Sequence, residues 1–332
     1  MHVGLVGAGR IGAFHARVLA ASPAAERLTI ADLDTDLAAR VAGELGAGAA
    51  PSPQALVDGG VHALVIAAAT SAHAELIHLG ADAGLATFCE KPIALDLETT
   101  DAVIQHVAKA SIPLQIGFQR RFDAGYLEAR RLRTSGALGR VYTARLATHD
   151  PAPPHEGYIA ASGGIFRDLH IHDFDALRWV TGQEVVEVYA DGSVLHDERF
   201  ARHGDVDTAA AVLRLADGAL GIVSGTRHDP RGYDVRMELF GSQDSVSVGL
   251  DGRTPLRSVE PGVPAPMSPG YRNFMERFDA AYRAELAAFL EVARGRAESP
   301  CTGDDARRAL LIAMAADRSL VEHRPVRLEE VA

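Results

Sequence analysis

Residues 4–16 read GLVGAGRIGAFHA, and no other stretch of the chain narrows its fold as much. The apolar run HVGLVG leads straight into Gly7, Gly9 and Gly12, spaced G-x-G-x-x-G, and an Ala-rich amphipathic segment follows. Strand, tight turn and helix in that order give the pattern its meaning. Gly7 permits the turn, Gly9 lets the backbone approach a pyrophosphate, and Gly12 lets helix and strand pack closely; the helix N-terminus turns its N–H groups and positive dipole end toward phosphate. Asp32, twenty residues beyond Gly12, ends a second apolar run, where a carboxylate accepts from both ribose hydroxyls and repels a 2′-phosphate. The spacing therefore predicts NAD as cofactor. Asp32 has a competing role as a cap on the following helix, which Asp34 or Thr35 could equally fill. A calcium loop over DLDTD is excluded, because Leu37 and Gly43 occupy the positions that require Gly and Glu.

The alternation continues to about residue 120 through RLTIAD, HALVIAAA, ATFCE and PLQIGF, each followed by an amphipathic stretch. It predicts an α/β domain over residues 1–120, a Rossmann-type doubly wound parallel sheet with helices on both faces. Beyond a helix near DAGYLEARRLRTSG the pattern changes. GRVYTARLATHD, EVVEVYADGSVL, DTAAAVLRLADGALGIVSGTRH, YDVRMELFGS and DSVSVGL alternate apolar and polar residues and are joined by Asp-Gly, Gly-Ala and Gly-Ser turns. These features predict an α+β domain over residues 121–332, built on a large open and mostly antiparallel sheet. Helices near 272–295 and 303–322 end the chain, the last expected to pack back on one of the domains. SVEPGVPAPMSPG, residues 258–270, reads as a Pro-rich loop over a site or at an interface.

Charge and composition remove several classes of function. A net charge of −11 repels a phosphate backbone, so nucleic acid is not expected as a partner. No segment reaches the roughly 18 uninterrupted apolar residues of a membrane span, and the first residues lack the pattern of a secretory leader; no membrane association and a cytoplasmic location are expected. Cys89 and Cys301 are too few for a disulfide framework or a sulfur-ligated metal.

Two further segments carry chemistry. RDLHIHDFD, residues 167–175, crowds ionisable groups together. On a helix Asp168, His172 and Asp175 fall at i, i+4 and i+7 along one stripe, with His170 and Asp173 pointing elsewhere. His170 and His172 then diverge by about 200°, which excludes an H-x-H metal site, and no metal is expected. FCEKPIA places Lys91 at the carboxyl end of a strand, beside the ligand crevice of a doubly wound sheet, with Pro92 restricting the backbone before it.

Taken in order, GAGRIG, EKP at 90–92, GFQRRFD at 117–123 and SGGIFRDLHIHDFDALRW at 162–179 resemble the glucose-fructose oxidoreductase and inositol dehydrogenase (Gfo/Idh/MocA) family over essentially the whole chain, closest to its inositol 2-dehydrogenases. The resemblance implies NAD-dependent oxidation of a secondary ring hydroxyl of an inositol or related sugar to the ketone, with Lys91, Asp168 and His172 as catalytic group. Imidazole is suited to the base role near neutrality, Asp168 to orienting it, and a lysine ammonium to stabilising a developing alkoxide. Cofactor contacts are implied for Gly7, Gly9, Arg10, Ile11 and Gly12, for Asp32, and for Thr70, His73, Glu90 and Lys91. Substrate contacts are implied for Arg120, His149, Asp150 and Tyr233 beside the catalytic three. Inositol dehydrogenases of this kind often carry arginine where His149 stands and asparagine where Gly225 stands. The family also implies a homo-oligomer, a tetramer or dimer. A non-catalytic NAD- or sugar-binding regulator of the same fold is the alternative, disfavoured by the presence of all three catalytic residues.

Overall fold

Strands buried along their whole length need cover on both faces, and the first apolar runs meet that condition in a parallel sheet. The computed structural model describes residues 1–266 and 268–332; Met267, within the Pro-rich stretch, lies outside the described residues. The chain forms two compact units, residues 1–119 with 280–307 and residues 120–279 with 308–332.

In the first unit β1 (His2–Val6), α1 (Arg10–Ala20), β2 (Arg27–Ala31), α2 (Thr35–Leu45), β3 (Gly48–Ala49), α3 (Pro53–Asp58), β4 (Ala63–Ile66), α4 (Thr70–Asp82), β5 (Ala86–Glu90), α5 (Leu97–Ala110) and β6 (Leu114–Gly117) alternate. The strands lie in the order β3-β2-β1-β4-β5-β6, every pair parallel. The order reverses between β1 and β4, so the turns after those two strands flank the point where a doubly wound sheet opens to a ligand. Helix starts follow local chemistry: Asp34 caps α2 by accepting from the Leu37 N–H, and Asp96 caps α5 by accepting from the Thr99 N–H.

The second unit holds α6 (Ala124–Thr134), β7 (Val141–His149), α7 (Glu156–Ala161), α8 (Ile171–Thr181), β8 (Val185–Ser193), α9 (Arg199–Arg202), β9 (Thr208–Leu215), β10 (Leu220–Thr226), β11 (Asp234–Gly241), β12 (Ser245–Val248) and α10 (Phe274–Arg277). Next come α11 (Asp279–Ala293), which lies in the first unit from Ala280 onward, α12 (Gly303–Glu322), which passes into the second unit at Arg308, and β13 (Val326–Arg327). The sheet order is β12-β11-β7-β10-β9-β8-β13, antiparallel except between β7 and β10. One face is buried. On the other, Tyr189, Val212, Ile222, Arg145 and Glu238 stand side by side across five strands, all at least partly exposed.

Helix α8 lies against the buried face, where β10 presents Gly221 and Gly225. A Cβ at Gly221 would meet Leu177 of α8 at 2.7 Å, and one at Gly225 would meet His170 at 2.5 Å. Nine of its eleven residues are buried, all but His172 and Trp179, with Asp173 and Asp175 among them. Such a helix keeps its carboxylates inside only where cations meet them. Asp175 takes two hydrogen bonds from Arg121, at 2.9 Å from Nε and 2.6 Å from Nη2, and the Arg121 guanidinium lies 5.9 Å from the Trp179 ring centre. Removing one partner of a buried pair leaves the other charge uncompensated, so Asp175→Ala is expected to cost about 3 kcal/mol or more in urea unfolding. A loss below about 1 kcal/mol would mean that Arg121 finds water or another acceptor.

Candidate functional site

At the nucleotide end the three glycines separate by cause. Gly7 has φ 101°, and a Cβ there would lie 2.4 Å from the Ala67 carbonyl oxygen. A Cβ on Gly12 would lie 2.0 Å from the Gly7 carbonyl oxygen. Both are demanded by the protein's own backbone. Gly9 differs: its φ is −64° and nothing stands within 4 Å of the Cβ it lacks. Open space above an unstrained glycine at the head of a helix is what a closely approaching ligand requires. No side chain caps α1, and none caps α4, which begins at Thr70 beside the same switch point.

Asp32 ends beside this turn. Its Oδ2 accepts from the Ala8 N–H at 2.6 Å and its Oδ1 from the Asp34 N–H at 2.9 Å. The cap on α2 is Asp34, so helix capping does not account for Asp32, and each of its oxygens keeps acceptor capacity for a ribose hydroxyl. Leu33, next in the chain, is fully exposed. These residues fit a bound dinucleotide: Gly9, Arg10, Ile11 and Gly12 would hold its pyrophosphate and Asp32 its ribose.

The remaining cofactor candidates divide. His73 is buried, with Nδ1 2.7 Å from the Pro92 carbonyl and Nε2 3.1 Å from the Ala68 carbonyl, so it braces the chain segments after β5 and β4. Burial lowers its pKa, against the two carbonyl contacts, which favour the charged ring. The Glu90 side chain turns inward, 2.6 Å from His15 Nε2 on α1. Lys91 follows it, half-buried, and the Lys91–Pro92 peptide is cis.

In the second unit the segment 167–175 is more internal than its composition suggests. Phe166–His170 forms a π turn leading into α8, which adds a residue to the turn and displaces the plain i, i+4 stripe expected for Asp168 and His172. Asp168 accepts from the Tyr158 hydroxyl at 2.7 Å and from Arg227 Nη2 at 2.9 Å, while Arg227 Nη1 lies 3.2 Å from Asp150. The Asp168 charge and their hydrogen bond push the hydroxyl of the exposed Tyr158 well above the ordinary phenol range, so Tyr158 stays a donor. Arg227 is 3% exposed and thus an internal cation joining two expected site carboxylates. His172 is half-buried at the start of α8.

Beneath that level lies a second network. Arg120 Nη1 donates to Asp173 at 2.5 Å and Nη2 to Thr148 Oγ1 at 2.9 Å, and His170 Nδ1 stands 2.8 Å from Asp173. Burial opposes ionisation of Asp173, but the Arg120 guanidinium and the His170 contact hold its carboxyl well below the usual range. Arg120, expected at the substrate, is 2% exposed and serves as an internal support. His170 is fully buried, and Asp175, expected on the Asp168 and His172 stripe, is an internal ion-pair member. His149 Nδ1 is 2.9 Å from Thr226 Oγ1, and burial lowers its pKa. Tyr233 is buried, its N–H donating to the Tyr271 carbonyl at 2.6 Å. Nothing around Arg227 or Tyr158 in the sequence distinguishes them from surface residues; the only hint is the surplus of aspartates in 168–175, which requires cations from elsewhere. Among the described residues no group of three or more His, Cys, Asp or Glu is arranged to hold a metal ion, and no helix is long and apolar enough to cross a membrane.

Known proteins align with this arrangement from end to end. Residues 1–118 match the model of an oxidoreductase family with an NAD-binding Rossmann fold, and residues 126–247 match that of a GFO/IDH/MocA C-terminal domain. The chain is 41% identical to a myo-inositol dehydrogenase of Streptomyces leeuwenhoekii, over 96% of this chain and 97% of that protein. It is 39% identical to the myo-inositol 2-dehydrogenase of Thermotoga maritima, over 100% of this chain and 99% of that one. A crystal structure of scyllo-inositol dehydrogenase from Lactobacillus casei with bound NAD(H) and scyllo-inositol superposes with a TM-score of 0.89 at 27% identity, covering 99% of each chain.

The glycines yield a paired prediction. Gly12→Ala should destabilise the fold by about 1–3 kcal/mol in urea. Gly9→Ala should leave unfolding unchanged while weakening NAD about tenfold or more by calorimetry. Equal losses of stability in both variants would remove the argument for a ligand above Gly9.

Proposed function

Because this chain belongs to the Gfo/Idh/MocA oxidoreductase family and is an NAD-dependent dehydrogenase of CH–OH groups, we propose that its substrate is an inositol, one secondary ring hydroxyl of which it oxidises to the ketone. The observation that carries this reading is end-to-end similarity to myo-inositol dehydrogenases at 39–41% identity. When bound, NAD supplies the hydride acceptor. The chain's own residues supply the proton chemistry and the positioning.

In this reading Lys91 donates a hydrogen bond to the reacting oxygen and favours the developing alkoxide. His172 takes the hydroxyl proton. Asp168 supplies negative charge that favours the resulting imidazolium, and Arg227 and Tyr158 support that role by holding the carboxylate in place. Asp150, oriented by Arg227, and His149 offer further partners for ring hydroxyls. A polyol needs many such partners, since a buried hydroxyl left unpaired costs about 1–3 kcal/mol. Asp32 repels a 2′-phosphate and so sets the preference for NAD.

The proposal extends to assembly and setting. The partly exposed row from Tyr189 through Val212 and Ile222 to Arg145 and Glu238 mixes apolar side chains with a 3.1 Å Arg145–Glu238 ion pair, a composition suited to a symmetric contact between copies, as a dimer or tetramer. Two free, buried cysteines fit a reducing, cytoplasmic setting.

NADH formation with a panel of inositols and pyranoses is expected to be fastest with a cyclitol. Faster turnover of an open-chain polyol or a pyranose would overturn the substrate class. Lys91→Ala should lower turnover by about a thousandfold while leaving NAD affinity within about threefold. Unchanged turnover would take Lys91 out of the mechanism.

A further inference from the structure

In the first unit a second set of ionisable side chains is packed away from water, centred on a residue that the proposed chemistry does not use. Glu285 on α11 is fully buried, and neither carboxyl oxygen has a hydrogen-bond partner. Its surroundings come from three other elements. From β6, Gln115 Nε2 donates to the Glu285 backbone carbonyl at 3.1 Å, while Gln115 Oε1 is buried without a partner. From α1, the fully buried His15 holds Glu90 with Nε2 and has an unpartnered Nδ1. From β5, Glu90 brings its carboxylate. On α11 itself, the Tyr282 ring lies 5.8 Å from that of His15 and 5.5 Å from that of Phe14, and Phe289 packs 5.7 Å from Phe88.

An ionised Glu285 would have no donor to satisfy it, would sit among aromatic rings, and would face the negative charge of Glu90. A carboxylic acid escapes the largest of these costs, because desolvation penalises the charged form far more than the neutral one. Among the described residues no side chain donates a hydrogen bond to either of its oxygens. His15 is committed through Nε2 to Glu90, and the buried Cys89 thiol, pushed up by burial and by Glu90, remains uncharged.

We propose that Glu285 is a positioning residue for the nucleotide half of the reaction, held as a neutral carboxylic acid so that the Glu90 carboxylate, immediately before Lys91, pairs with His15 of the dinucleotide helix instead of being repelled by a second charge. Burial and the Glu90 charge both push Glu285 well above the usual carboxylate range. The consequence for pH has a definite sign. A carboxyl whose folded-state pKa is raised stabilises the fold fully below its unfolded value, near 4.3, and that contribution is lost as pH rises toward the folded-state value. In the alkaline range two carboxylates would oppose each other behind Lys91, loosening α1 and with it the turn at Gly9.

Three measurements test this, none of which depends on turnover or on the identity of the substrate. In wild-type protein at about pH 8, where ordinary carboxyls are ionised, infrared spectra should retain the carbonyl stretch of one buried protonated acid. Its absence would overturn the proposal without any variant. Glu285→Gln, isosteric and uncharged, should remove that band, melt close to wild type in acid and progressively above it as pH rises. A melting difference independent of pH would show a merely structural role. By calorimetry, wild type should lose NAD affinity roughly tenfold toward alkaline pH, and Glu285→Gln should lose much less. Parallel losses in the two proteins would separate Glu285 from the nucleotide site.

Discussion

The second unit depends on neutralising charge inside its own core. A segment with three aspartates and two histidines in nine residues enters the interior only where cations are waiting, since removing an ion from water costs several kcal/mol even after the surroundings relax. Arg120 and Arg121, neighbours in a short 3-10 turn, take Asp173 and Asp175, and Arg227 after β10 takes Asp168 together with Asp150. Each arginine therefore fixes one point along the π turn and α8. Apolar packing alone would tolerate a helix that slides or rotates by a residue, whereas these pairs admit a single register. The half-buried His172 takes its place at the start of α8 from that register.

The first unit uses backbone geometry for the equivalent purpose. Gly7 and Gly12 are small because neighbouring carbonyl oxygens leave no room, which explains the strand-turn-helix without reference to a ligand. Gly9 lacks such an explanation, and Asp32 has only part of one. One stands under open space, and the other is tied to the turn by the Ala8 N–H while leaving the helix cap to Asp34. Separating what the fold requires from what only a bound molecule requires makes the nucleotide end the better defined of the two in physical terms.

Much of this was legible in residue order. Period-two and period-3.6 patterns fix the parallel strands β1, β2, β4, β5 and β6 and the hairpin of β9 with β10, because burial of one face is a local property that repeats along the chain. The two-residue β3 is too short to carry a period. An amphipathic pattern says that α11 buries a face but not against which sheet, so the membership of residues 280–307 in the first unit could not be read. The π turn at Phe166–His170 has no residue signature, since it is a shift of hydrogen-bond register. Arg121 and Arg227 look like solvated cations, and Arg120 like a substrate contact, until partners more than fifty residues away are known, and Glu285 is no different, its isolation visible only once β5, β6 and α1 surround it.

The close approach of β10 to the segment before α8 has a consequence for how such proteins diverge. His170 occupies the volume that any side chain at position 225 would need, with its Cε1 2.5 Å and its Nε2 2.8 Å from where a Cβ would stand. The Thr148 carbonyl oxygen of β7 stands equally near, at 2.5 Å. A lineage that acquires asparagine on that strand must therefore both reorient the imidazole, with one of the contacts that hold Asp173, and shift the neighbouring strand, so exchange at 225 alone is barred.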